Sequence, residues 1–122
     1  MKLIRFGTPE NEKPGVILDN GDWIDTSGFG EDYDELFFEN DGLARLKSWV
    51  DEKANDLPKI DKSTRLGPPL RKPSKIVCVG LNYAKHAAES GMKVPTEPVL
   101  FFKATSAIVG PNDDVIIPKN SK

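Results

Sequence analysis

An α+β fold is predicted by three features of the sequence. Asn20-Gly21 lies between two short apolar runs and signals a β-hairpin, since both central positions of a tight type I′ turn need positive φ. Leu43, Leu46, Trp49 and Val50 recur at helical spacing and give one apolar face. Two β-branched or aromatic runs, Lys75 to Val79 and Val99 to Lys103, follow a Gly67-Pro68-Pro69 join that neither a helix nor a central strand can cross. With Pro73 just beyond it, that join divides the chain into a small domain over residues 1–68 and a second over 69–122.

In the first domain, strands are expected at Lys2 to Phe6, Val16 to Asp19 and Asp22 to Asp25. Glu31 to Asn40 is acidic, with Tyr33, Leu36, Phe37 and Phe38 as apolar anchors of a short helix. Asp41 is placed to cap a longer helix from about Gly42 to Ala54, whose apolar stripe reads as core. In the second domain, Lys75 to Val79 reads as a buried strand containing Cys78. Asn82 then caps a brief helix of about Tyr83 to Ser90, which Gly91 ends. Further strands are expected at Val99 to Lys103 and Val115 to Ile117, with Pro111-Asn112-Asp113 as the turn between them and Asp113-Asp114 as turn residues.

Composition narrows the class. With 38% hydrophobic and 30% charged residues the balance is that of a soluble globular chain. A net charge of −2 argues against a general nucleic-acid surface. No apolar run approaches the ~20 residues needed to span a bilayer, and the alternating Met1 to Phe6 is too short for a signal peptide's apolar core. The expected compartment is the cytoplasm, which suits a single cysteine that has no internal disulfide partner. Residues 1–68 carry 9 basic and 15 acidic side chains, whereas 69–122 carry 8 and 4. The basic half suits an anionic substrate, or its lysines simply solvate a surface.

One constellation carries chemistry. His86, the single histidine, precedes Glu89 by three residues, so on a helix the two share a face. A carboxylate beside an imidazole fixes its tautomer and stabilises the imidazolium, preparing it to take a proton from water. Lys103, at the end of a strand, brings a fixed positive charge to a carboxylate or a developing oxyanion. From spacing alone, an exposed His–Glu surface pair is the alternative. Gly28-Phe29-Gly30 is no phosphate loop, because the acidic residues after it would repel the ligand.

The text around His86 is more specific. Gly80-Leu81-Asn82-Tyr83-Ala84-Lys85-His86-Ala87-Ala88-Glu89, followed by Pro98-Val99-Leu100-Phe101-Phe102-Lys103, resembles the entry to the catalytic domain of the fumarylacetoacetate hydrolase superfamily. That family shows Gly-x-Asn-Tyr-x-x-His-x-x-Glu and then Pro-x-x-Phe-x-Lys. The resemblance is closest over about residues 75–118, and residues 1–6 and 12–15 look like the small N-terminal domain of bacterial members. It implies that Tyr83 to Gly91 forms a lid helix at the start of an incomplete, mainly β catalytic domain. It also implies His86 as general base, Glu89 as its partner and Lys103 as a substrate-binding group. The expected activity is cleavage of a carbon–carbon bond in an acylpyruvate or 2,4-diketo acid, a small anionic oxo-acid substrate. The expected cofactor is Mg²⁺ or Mn²⁺, and the full-length parent is expected to be a homodimer.

The sequence departs from the family where the metal should bind. The family's Glu-x-Glu pair and later Asp have no counterpart up to Lys122, so the ligands are expected outside these residues and the chain alone is expected to be inactive. A truncated product and a partner that supplies the remainder are both open. Family relatives that act as ureidoglycolate lyases, isomerases, decarboxylases or hydratases of related oxo acids share these motifs. A non-catalytic binding or assembly module is the alternative of a different class.

Overall fold

A computed structural model describes residues 1–53 and 55–121. They form two compact units, one of Met1–Lys72 with Ile108–Lys122 and one of Pro73–Ala107. The boundary at Pro73 follows the proline-rich join, but residues 108 onward lie in the first unit and not with the second segment as expected.

The first unit is built on a three-stranded antiparallel sheet in the order β1 (Lys2–Phe6), β2 (Lys13–Ile17), β3 (Trp23–Asp25). The hairpin forms, but its turn differs from the expected type I′. Gly21 N–H donates to Leu18 C=O and Leu18 N–H to Asp22 C=O, leaving a three-residue loop of Asp19, Asn20 and Gly21. Only Gly21 of the Asn-Gly pair enters the left-handed region (φ 85), while the Asn20 side chain accepts from Asp22 N–H. A β-turn followed by one left-handed glycine is the standard three-residue solution, and it needs positive φ once.

Two helices cover this sheet: α1 (Glu35–Glu39) and α2 (Gly42–Lys53). Asp34, extended in backbone, caps α1 by accepting from Phe37 N–H. Asp41 does not cap α2 in the usual extended geometry. It is left-handed (φ 53), and its carbonyl accepts from the N–H groups of Ala44 and Arg45. Position 54, the expected end of α2, lies outside the described residues. The core is Val16, Ile24, Tyr33, Phe37, Leu46 and Val50. Trp49 packs against it, but the other expected anchors Leu36, Phe38 and Leu43 are exposed. A Cβ on Gly42 would overlap the Phe37 carbonyl and ring, so the α1–α2 corner closes on a residue without a side chain.

The second unit holds β4 (Ile76–Gly80), α3 (Ala84–Glu89) and β5 (Val99–Lys103). β4 and β5 pair antiparallel, with Val77 opposite Phe102 and Val79 opposite Leu100. β4 is not buried as expected: Val77 and Val79 are exposed and Cys78 is half-buried, and β5 is exposed throughout. Helix α3 begins after Tyr83, one residue past the expected Asn82 cap, and no side chain caps it. It ends as expected at a left-handed Gly91 (φ 66), whose N–H reaches Ala88 C=O while Met92 N–H reaches Ala87 C=O. Val115 to Ile117, expected as a strand, is in no strand and is 77–87% exposed.

Candidate functional site

The three expected site residues all lie in the second unit. His86 and Glu89 sit on α3, which buries Ala87 and leaves both polar side chains in solvent. The i, i+3 spacing puts them on neighbouring positions of one helix face. Among the described residues, no hydrogen bond or ion pair joins them, and none joins Lys103 to either. Lys103 stands opposite Ile76 in the sheet, four residues from Gly80, where the chain leaves β4 toward α3. That is about 13 Å of strand at ~3.3 Å per residue.

The surface beside these residues is apolar. Val77, Val79, Leu100 and Phe102 occupy one face of the β4–β5 pair and are 48–71% exposed. Alternating side chains along paired strands bring all four together on that face. Two strands alone are marginal in water, so a face of this composition is normally covered.

A second cluster, in the first unit, gave no local signal in the sequence. Arg5 projects from β1 and is almost fully buried. Its Nε and Nη2 donate to the two carboxylate oxygens of Asp32 at 2.9 and 3.0 Å, and Nη2 also donates to Glu12 C=O. Glu12, 7% exposed at its side chain, accepts from Arg65 Nη1 at 2.9 Å. Arg65 then grips Asp113 with both arms, Nε to Oδ1 at 2.7 Å and Nη2 to Oδ2 at 2.6 Å. Bidentate arginine–carboxylate pairs are the strong, geometry-selecting form of the ion pair. Arg65 and the Gly110 N–H hold the Asp113 carboxyl below its ordinary range, and the hydrogen bonds to Asp113 and Glu12 raise the Arg65 guanidinium. Every buried side-chain N or O among the described residues has a hydrogen-bond partner.

The described residues do not fit a hard divalent cation. Such an ion takes several convergent oxygens, and among the described residues no three His, Cys, Asp or Glu side chains are grouped to supply them. The carboxylates of the buried cluster are each engaged by arginine.

Comparison with known proteins agrees with the motif reading. Residues 75–122 match the family model described as fumarylacetoacetate (FAA) hydrolase C-terminal. A protein of Burkholderia multivorans, assigned as a hydrolase, is 45% identical over 121 residues, which are 99% of this chain and 42% of that protein. A 2,4-didehydro-3-deoxy-L-rhamnonate hydrolase of Sphingomonas sp. is 44% identical over 99% of this chain and 40% of its own length. Among solved structures, one from Mycobacterium smegmatis assigned as an HpcE protein superimposes with a TM-score of 0.63 at 28% identity, covering 97% of this chain and 41% of that one. The chain thus spans about two-fifths of the length of the relatives it matches. It resembles part of a fumarylacetoacetate hydrolase-family protein, and the family's C-terminal domain pattern begins at Lys75.

Proposed function

We propose that this chain is a section of a metal-dependent hydrolase that cleaves a carbon–carbon bond in an acylpyruvate or 2,4-diketo acid. The observation that carries the reading is the ordered pair of motifs, Asn82-Tyr83 with His86 and Glu89, then Pro98 to Lys103, inside the region that matches the family. The named relative from Sphingomonas, a sugar-acid hydrolase, points to the same class of anionic substrate. On this reading the His86 imidazole takes a proton from the attacking water. The Glu89 carboxylate stabilises the resulting imidazolium. The Lys103 ammonium meets the substrate's negative charge or the oxyanion that develops on it. A divalent metal would supply Lewis-acid activation from ligands outside these residues.

The open apolar face of β4–β5 supports the view that the second unit is the beginning of a larger, mainly β domain. The helix α3 is then a lid, since its exposed His86 and Glu89 need a substrate to meet.

The test is made in a longer protein that continues past Lys122. His86→Ala lowers kcat by about 10²–10⁴-fold with little effect on metal affinity, because a base that acts on water does not ligate the ion. Glu89→Gln costs less, and Lys103→Met raises KM as well as lowering kcat. Near-normal turnover by His86→Ala would return the His86–Glu89 pair to an ordinary surface pair.

A further inference from the structure

The chain leaves the first unit after Lys72 and returns to it at Ile108. The returning stretch has little to hold it by apolar burial. Of residues 108–114 only Gly110 is buried, Ile108 and Asp113 are half-buried, and Val109 is 50% exposed. None of them belongs to the core cluster. What fixes the stretch is charge. Asp113 is gripped by Arg65 across 48 residues of sequence, and it folds its own segment by accepting Gly110 N–H at 2.7 Å. Arg65 is itself braced by Glu12 and by the Gly7 carbonyl, so it stays oriented toward Asp113 from the first unit's side. Gly110 fits only because it has no side chain: a Cβ there would overlap the Leu66 carbonyl and stand 2.8 Å from the Asp113 carboxylate.

We propose that residues 108–114 form a charge-operated strap, clasped by Arg65 to Asp113, that opens and recloses as a unit without unfolding the domain beneath it. Segments with few buried apolar contacts open locally at lower free energy than the core. A bidentate ion pair is a discrete catch, made or unmade, where a packed apolar anchor would tie the segment to the core's own stability. The clasp closes a 48-residue excursion of the chain, which includes all of the second unit. Releasing it frees residues 108–114 from Arg65, while Arg5 and Arg71 stay paired with Asp32.

The experiment is amide hydrogen exchange on the 122-residue chain and two variants, read by peptide. Asp113→Asn keeps the shape and removes the charge. Gly110→Ala keeps the charge and wedges the strap from the Leu66 backbone. In both, exchange over residues 108–114 rises about tenfold or more, whereas peptides covering Val16, Ile24 and Leu46 change less than about twofold. Unchanged protection of 108–114 in either variant overturns the proposal, because something other than the clasp would then hold the segment. Loss of core protection in step with the strap overturns it too, because the segment would then be part of the domain's cooperative fold.

Discussion

Replacing Tyr33 with Phe tests the core of the first unit through its one buried hydroxyl pair. Tyr33 is 1% exposed; its hydroxyl donates to Gly15 C=O at 2.8 Å and lies 3.1 Å from the Thr26 hydroxyl, itself fully buried. Tyr33→Phe keeps the ring's packing against Phe37 but leaves both partners short of a hydrogen bond. Unmet buried polar groups put the cost at about 1–3 kcal/mol near pH 7. The pH dependence is the sharper test. Burial, the leading cause, pushes the Tyr33 phenol from 10.0 up to about 12. Between those values the unfolded chain has lost the phenolic proton and the folded chain has kept it, so stability falls as pH rises. The loss from this group is about 1.4 kcal/mol near pH 11. Tyr33→Phe has no such loss. Urea denaturation of both proteins near pH 7 and near pH 11 should therefore show the stability gap shrinking by that amount, with lysine titration cancelling in the difference. A gap of the same size at both pH values would refute a phenol buried in its neutral form, and equal stability near pH 7 would refute the hydrogen bonds.

Leu46 is fully buried at the centre of α2, so Leu46→Ala should cost about 2–5 kcal/mol in chemical denaturation, well above any exposed α2 position such as Leu43. Phe102→Ser removes the most exposed aromatic of the β4–β5 face, 71% exposed. It should lower the fluorescence of an apolar dye bound to the chain while changing first-unit stability by less than about 0.5 kcal/mol.

Local chemistry was legible where neighbours in sequence decide the outcome. β1 has its expected bounds, α2 begins at Gly42, and α3 stops at Gly91, because alternation, helical spacing and a left-handed glycine act within a few residues. The mixed helix-and-strand class followed from the same signals. The buried ion pairs are not legible, since Arg5 and Asp32 are 27 residues apart, Arg65 and Asp113 48, Arg65 and Glu12 53, and an isolated Arg5 in a strand looks like a surface residue. Asp34 caps α1 from within a run of acidic residues that hides which one is the cap, while a left-handed Asp41 and a helix that starts after Tyr83 displace the caps expected at Asp41 and Asn82. The exposure of β4, expected as a buried strand, has a different reason. Apolar composition reports what a strand needs to have covered, and among the described residues nothing covers Val77, Val79, Leu100 or Phe102. The motif around His86 points to the family this chain resembles but not to the geometry, since among the described residues no bond joins His86, Glu89 and Lys103.

The uneven distribution of core between the two units sets an order of events at the ribosome. Residues 1–66 already contain every member of the first unit's core cluster, so that unit can collapse as soon as they clear the exit tunnel. Folding domain by domain from the N-terminus is the usual course for longer chains. The β4–β5 strands emerge next with an apolar face, and among the described residues no further strand pairs with either edge. Pausing translation there, or crowding many such chains together, would favour strand-to-strand association, with Phe102 and Leu100 as the first points of adhesion.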